Sequence, residues 1–514
     1  DELRNVGSIR TVTPYGNQQT WSLASQFGRL TYKLLDRYIV TGTIRRDGSS
    51  RFGPGNKYGV FPSVSVAWRL KDEPFMAPVT AISDLKLRGS WGKAGNQNIG
   101  LFQYQGTYGS GSNAIDNRGY VFGRTKTYYD GLVLNGLPNP NLTWENQTQS
   151  DIGLDASFLN GRINFTADYY VRTSSGFLLS VNVPSQTGFS TATRNVGSIR
   201  NSGLELGLEY RESSRPFKWG VNANVTTVAN KIVSFADGLT SVGNFSDLGF
   251  PNFGGNLWTT FTRSQVGGEV GAFYGFRSAG IFQSQEEINA LNANAVIRND
   301  NKAGTFYQAS TTAPGDRKFV DVNGDGKVGD DDRVIIGSPI PKFFGGLNLD
   351  GAYKQFDISM FWYASVGNDI LNYARRNLQS LATNGGVGVE NVSEEFYLNR
   401  WTETNRSNTY ARAVRDDKSG NTRVSDIYVE DGSFLRLRNL QIGYTLPAAL
   451  IRKITLSRVR VYASGQNLLT FTKYTGLDPE IGQVGDANSP TVRGIDVGNY
   501  PTSRFFTLGL SAQF

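Results

Sequence analysis

The chain has no cysteine, no histidine and only two methionines among 514 residues. Without cysteine there is no disulfide, no thiolate metal ligand and no cysteine nucleophile. Without histidine there is no Ser-His or Cys-His relay and no His-ligated zinc or iron site. No stretch approaches the roughly eighteen apolar residues of a transmembrane helix. The mean hydropathy is −0.35. Neither fact bears on a membrane barrel, which hides its apolar band in alternation. The net charge is +8, from 52 basic and 44 acidic residues. These charges are scattered, and no basic run points to nucleic acid. A chain free of cysteine suits an oxidising compartment.

What is present points to strands and turns. There are 60 Gly, 24 Tyr and 31 Phe, with abundant Asn, Ser and Thr. The last eleven residues show the pattern best. Phe506, Leu508, Leu510, Ala512 and Phe514 fall on one face, with Phe505, Thr507, Gly509, Ser511 and Gln513 on the other. The same period of two recurs at Arg37–Arg46, Ser63–Arg69, Asp151–Phe158, Arg162–Arg172, Leu204–Tyr210, Val221–Val225, Asp357–Ala364 and Arg458–Ala463. A phase change between Leu437 and Leu440 predicts a bulge near Asn439. With Trp21–Leu34 and Phe343–Tyr353 included, about thirteen strands reach membrane-spanning length.

The spacers decide between a soluble sandwich and a barrel. Short ones fall at Leu35-Asp36, Asn160-Gly161, Glu212–Pro216, Lys354–Phe356 and Pro447–Ile454, with Pro74–Ile82 somewhat longer. Long ones fall at 48–57, 93–142, 174–198, 231–341, 369–432 and 474–502. Short and long alternate without a break. A sandwich has no reason to do this, whereas an outer-membrane barrel joins its strands by short periplasmic turns and long extracellular loops. The expected fold is therefore all-β, a transmembrane antiparallel β-barrel. Residues 1–514 form one barrel domain, and 231–341 is a long extracellular loop region. With Phe514 on the periplasmic side, every long spacer lands outside. Asp1–Thr20 would then be the tail of a further outer loop. Single-chain bacterial barrels have even strand numbers, and an open edge cannot sit in lipid. Further strands are thus expected upstream or from another chain.

One stretch carries ligand chemistry. Asp321-Val-Asn-Gly-Asp-Gly-Lys…Asp332 fits the calcium-loop pattern. Asp321, Asn323 and Asp325 would offer side-chain oxygens, Gly326 the sharp turn and Lys327 its carbonyl. Asp332 stands where an EF-hand has Glu, and it is shorter. Short strands rather than helices are expected on either side. Calcium would stiffen the loop without catalysing anything. The competing reading is a metal-free turn of the kind these residues also favour. Ser284-Gln-Glu-Glu287 reads as a capping box before a short helix, and Gly367–Gln379 could form another.

The remaining candidates are weaker. Trp68, Trp91, Trp144, Trp219 and Trp362 read as interface girdle residues. Trp258 and Trp401, in long loops, are the better ligand-stacking candidates. Asp357 and Asp369 could be offered as glycosidase carboxylates, but lumen-facing charge is ordinary in a barrel. No enzyme is expected. The pairs Gly254-Gly255 and Gly267-Gly268 lack the lysine of a phosphate loop.

Several runs carry a resemblance. They are Lys318–Pro339 with Pro341–Leu349, Leu85–Asn96, Asn139–Glu145, Asn201–Leu206, Tyr428–Leu440 and Ala463–Phe471. Together, and in order over nearly the whole chain, they resemble the SusC/RagA family of TonB-dependent outer-membrane transporters of the Bacteroidetes. The resemblance implies a barrel of about 22 strands with an amino-terminal plug, of which this chain is the carboxy-terminal part. It implies import of glycans or peptides, with a SusD-like lipoprotein as lid and TonB acting through the plug. It allows a dimer of transporter–lid pairs. Phe514 would be the terminal aromatic of a barrel-assembly signal. The rival reading is an outer-membrane adhesin or structural barrel without transport.

Overall fold

The computed structural model describes residues 19–514 apart from 111–119, 125, 126, 130, 135, 190, 236–239, 245–260, 382–390, 416, 452–455 and 483–492. One antiparallel path runs through thirteen strands in chain order. They are β1 (Leu23–Leu34), β2 (Tyr38–Ser49), β3 (Tyr58–Arg69), β4 (Ile82–Asn96), β5 (Glu145–Phe158), β6 (Ile163–Asn182) and β7 (Thr191–Glu212). Then come β8 (Phe217–Thr227), β9 (Phe343–Tyr353), β10 (Phe356–Val366), β11 (Phe434–Thr445), β12 (Arg458–Thr472) and β13 (Phe505–Gln513). A further segment, Ala229–Ser234, continues from β8 and pairs with β7. Among the described residues β1 pairs with β2 alone and β13 with β12 alone.

The register follows the period of two. Leu34, Tyr38, Trp68, Leu87, Leu154, Ala167, Leu206, Val225, Gly345, Ala364, Leu435 and Phe471 stand opposite one another in a single row across twelve strands. Along β13 the same face continues, with Leu510 opposite Val461 and Leu508 opposite Ala463. A slip of one residue anywhere would turn a whole strand's apolar set inward. That face is bare: Ile152, Leu208, Leu508 and Leu510 are exposed. Apolar area of this extent needs lipid against it.

The turns are as tight as their residues permit. Leu35 and Asp36 both take positive φ (51° and 53°), and Arg37 N–H donates to the Leu34 carbonyl at 3.1 Å. This is the primed turn that matches strand twist. Leu159 and Asn160 repeat it. The expected bulge is present: Trp362 faces Leu437 and Phe361 faces Asn439, so Arg438 is the unopposed residue.

One expected loop is mostly strand. β6 has 20 residues and β7 has 22, leaving only 183–190 as the connection where 174–198 was expected open. The ladder continues because Thr, Ser, Asn and Val there tolerate extended backbone. Phe177–Asn182 still finds a partner at every residue of Thr191–Val196.

The long connections gather at one end of the sheet. Segments from 367–433 and 473–504 join directly: Asp369–Asn372 pairs antiparallel with Val429–Asp431 and parallel with Ile495–Asp496. The loop 228–342 adds Phe273, which packs with Leu371, Tyr373, Val424, Tyr428 and Ile495 in a dry cluster. It also carries α1 (Gln285–Arg298), whose cap is as expected: Ser284 accepts from the Glu287 N–H. The region Gly367–Gln379 is part strand and part helix, the helix being Tyr373–Leu378.

Candidate lumen site and outer cap

The inner face of the sheet is the polar half of the alternation. It is held by charge bridges that cross a whole strand. Arg88 on β4 bonds Asp155 on β5 (2.8 and 3.0 Å) and reaches over Gly153 to Asp168 on β6 at 2.9 Å. A Cβ at Gly153 would meet Asp168 Oδ1 at 2.1 Å and Arg88 Nη2 at 2.9 Å. Glycine is required there because the bridge occupies the side-chain space. The same device recurs where Arg460 on β12 reaches over Gly443 on β11 to Asp357 on β10, at 3.0 Å from Nε. These bridges stiffen the wall without adding apolar surface to the lumen.

Above them lies a cavity of about 1000 Å³. Its wall side comes from β5, β6 and β7: Gln147, Gln149, Asp151, Tyr170, Arg172, Asn201 and Glu205. Its roof comes from the long loops, with Asn230, Ile232, Val270, Pro339 and Ile340. Amides, carboxylates and arginines share the lining almost evenly with aliphatic and aromatic side chains, Ile199, Phe177, Phe344 and Tyr363 among the latter. Such a lining offers hydrogen bonds and apolar contact side by side. That suits a solute of considerable size that carries both polar groups and apolar faces.

The roof is tied to the wall. Arg436 on β11 bonds Asp478 and Glu480 of the loop 473–504, the latter at 2.9 Å. Within the cap Glu430 accepts from Arg375 (3.1 Å), Asn372 Nδ2 (3.0 Å) and the Thr475 N–H (2.9 Å), which joins two loops. The Tyr474 hydroxyl donates to Asp496 at 2.5 Å. Burial, then that bond, pushes the Tyr474 hydroxyl well above its usual range. Burial likewise raises the Asp369 carboxyl, which accepts the Ser338 N–H at 2.9 Å.

The family model described as TonB dependent receptor-like, beta-barrel matches residues 2–362. The chain belongs to this family. TonB-dependent receptor P3 of Formosa agariphila is 34% identical over 99% of this chain and 47% of its own length. TonB-dependent receptor SusC of Bacteroides thetaiotaomicron is 34% identical over 98% of this chain and 45% of its own. The solved RagAB peptide transporter superposes with a TM-score of 0.73 at 25% identity, over 95% of this chain and 47% of that one. The chain thus spans about half the length of the relatives it matches. These relatives are TonB-dependent receptors and a transporter, not enzymes. They identify this TonB-dependent receptor barrel as an outer-membrane protein.

The barrel brings few of the sequence-predicted site residues to the lumen. Trp401 is 8% exposed, packed on Ile281 and Ala411, with its Nε1–H donated to Gln283 Oε1 at 3.1 Å. It is a cap core residue and not a stacking platform. Its indole is covered by a segment about 120 positions away in the chain, which a local reading of the loop could not see. Trp258 lies outside the described residues. Trp144 is no girdle residue either. It is buried with Phe52, Phe61, Ile99 and Leu142 beneath the first outer loops. Asp357 is near the start of β10 and Asp369 lies three residues past its far end, too far apart to act together.

The loop 321–332 is flanked by the short strands Arg317–Phe319 and Val334–Gly337, as expected. Asp321 accepts the Gly324 and Gly326 N–H groups, each at 2.7 Å. Asn323 and Asp325 accept from Asp325 and Lys327 at 2.8 and 3.0 Å. Asp332, 1% exposed, accepts from Val322, Asn323 and Gly329. The loop is thus closed by its own backbone donors. The donors suit a hard cation in type. Yet among the described residues no three acidic side chains gather as a metal cluster would.

Sequence reasoning missed Arg88, Arg436 and Glu430. One signal was available: a glycine within the polar row, as at Gly153 and Gly443, marks a side chain crossing from the next strand.

Proposed function

We propose that this chain forms the wall and outer cap of a TonB-driven importer of glycans or peptides. The reading includes a SusD-like lipoprotein that delivers cargo from outside. The observation that carries it is the large cavity of mixed polar and apolar lining between lumen wall and outer roof. Cargo enters under the roof, is held by hydrogen bonds that are individually weak, and leaves when the lumen opens. SusC and the RagAB peptide transporter support the transport class. They do not choose between sugar and peptide.

A bulky residue in the cavity tests this in cells that carry the whole transporter. Asn201→Trp should lower uptake of the cognate oligomer at least tenfold while barrel insertion is unchanged. An orphaned site of lost hydrogen bonds and filled volume accounts for roughly that factor. Uptake of every candidate glycan and peptide left unaltered, in a strain that still adheres or assembles normally, would favour the adhesin reading.

Two lesser roles belong to the same proposal. Calcium at Asp321, Asn323, Asp325, Lys327 and Asp332 is proposed on donor chemistry alone. Chelation should then speed proteolytic cleavage within 300–340 severalfold, and an unchanged rate counts against the ion. Phe514 is proposed as the assembly signal. It follows β13 and is 93% exposed. Its deletion should lower membrane insertion more than it lowers ligand binding by the protein that does insert; the reverse order would reject the assignment.

A further inference from the structure

The connection between β3 and β4, residues 70–81, is longer than closing a hairpin requires. At the same end of the sheet 35–37 joins β1 to β2, and 354–355 joins β9 to β10. The extra chain folds outward. Glu73, 8% exposed, accepts the Tyr38 hydroxyl at 2.7 Å, the Trp68 Nε1–H at 3.0 Å and an Arg37 Nη1–H at 3.1 Å. Tyr38 and Trp68 stand opposite each other in the apolar row, their rings stacked with centres 6.2 Å apart. Glu73 therefore holds the segment to the lipid side of the sheet and not beneath the lumen.

What the segment then presents carries no charge. Pro74-Phe-Met-Ala-Pro-Val-Thr-Ala81 has no ionisable side chain. Phe75 is 63% exposed, and Val79 is exposed beside it. The backbone is largely closed on itself. Pro74 and Pro78 have no N–H. Met76, Ala77, Val79 and Thr80 donate to the Glu73, Pro74, Met76 and Pro78 carbonyls at 2.9, 3.3, 3.0 and 3.1 Å. Lys71 Nζ caps the Met76 and Val79 carbonyls at 3.3 and 2.7 Å. Such a segment loses little on leaving water, because unpartnered backbone groups are what make that move costly. Strands added beside β1 would extend the sheet and leave this outward face uncovered.

We propose that 74–81 is a membrane foot, seated with Phe75 foremost among the phospholipids of the inner leaflet of the outer membrane. The apolar face of the barrel already meets lipid here, and the foot continues that face past the end of the strands. Tyr38 and Trp68 then stand at the head-group level, where such rings are enriched. Glu73 satisfies both of their polar tips. The lipid contact follows from the outward face of the barrel. The choice of leaflet rests on the proposed function, in which the long loops form the outer cap.

The test uses the complete transporter, freed of cysteine outside this chain and reconstituted in phospholipid nanodiscs. A spin label is placed at Phe75→Cys and, as an aqueous reference, at Ser213→Cys in the turn after β7. Oxygen concentrates in lipid and a water-soluble nickel chelate in water. The ratio of oxygen to nickel collisions should be severalfold higher at 75 than at 213. Equal ratios overturn the foot. If Phe75→Cys inserts poorly, Val79→Cys reads the same contact with the same two outcomes. The leaflet is read separately in cells: an impermeant maleimide should modify Ser213→Cys only after the outer membrane is opened. Modification in intact cells would overturn the outer-cap reading and the choice of leaflet with it. Equal ratios with Ser213→Cys shielded in intact cells would overturn the foot alone.

Discussion

Arg436→Met should release the loop 473–504 from the barrel wall, at a cost of about 3–5 kcal/mol. Arg436 is 3% exposed and Asp478 is 7% exposed, so their pair is desolvated on both sides. Arg436 also bonds Glu480 at 2.9 Å and Thr470 Oγ1 at 3.0 Å. Methionine fills the space but leaves Asp478 charged and buried. The Glu480 and Thr502 N–H groups, each at 2.9 Å, and the Thr502 hydroxyl would then be left to hold that carboxylate. Amide hydrogen exchange across 473–504 should accelerate roughly 10²- to 5 × 10³-fold if opening is local. Adding Asp478→Asn should restore most of the protection, because removing both charges removes the penalty. Exchange that stays at the wild-type rate in Arg436→Met would show that the loop is held by something else. Because this loop supplies a strand of the cap sheet, the same variant should also leak or lose cargo.

The second large effect lies on the lipid face. Leu347, mid-way along β9, stands between Ala223 of β8 and Trp362 of β10. Leu347→Arg places a cation near the bilayer centre at about 2–4 kcal/mol. Its neighbour Asn348 is on the lumen face, opposite Asn222 and Phe361. Asn348→Arg should therefore insert normally and alter only what passes through. Comparing the folded, heat-modifiable fraction of the two variants in outer membranes reads this directly. Equal insertion of both would mean that the face assignment in β9 is wrong by one residue, and with it the register of its neighbours.

The wall of the barrel was legible because its signal is local. Leu204, Leu206 and Leu208 alternate with Glu205, Gly207 and Glu209, and the backbone sends them to opposite faces wherever the strand sits. The bulge by Asn439 was legible for the same reason, as a break of phase. The strand extension through 174–198 was less so. Once the apolar alternation stops outside the lipid, nothing in Ser, Thr and Asn distinguishes a free loop from a paired ladder. The charge bridges were hidden for a further reason. Arg88 and Asp168 are 80 residues apart and meet only because β5 offers a glycine between them.

The amino-acid sequence alone determined the strand number, their wiring, the face of each residue and the side on which the long loops lie. All of these follow from a period of two and from spacer length, which are properties of neighbouring residues. Only the tertiary structure decided what the loops are for one another. Trp401 became core through Gln283, the loop 473–504 found its anchor in Arg436, and Arg317 was buried with its guanidinium on the Thr409 carbonyl. Those outcomes depend on residues dozens to more than a hundred positions apart. No periodicity links such residues, and only the packing of the three loops over one lumen brings them together.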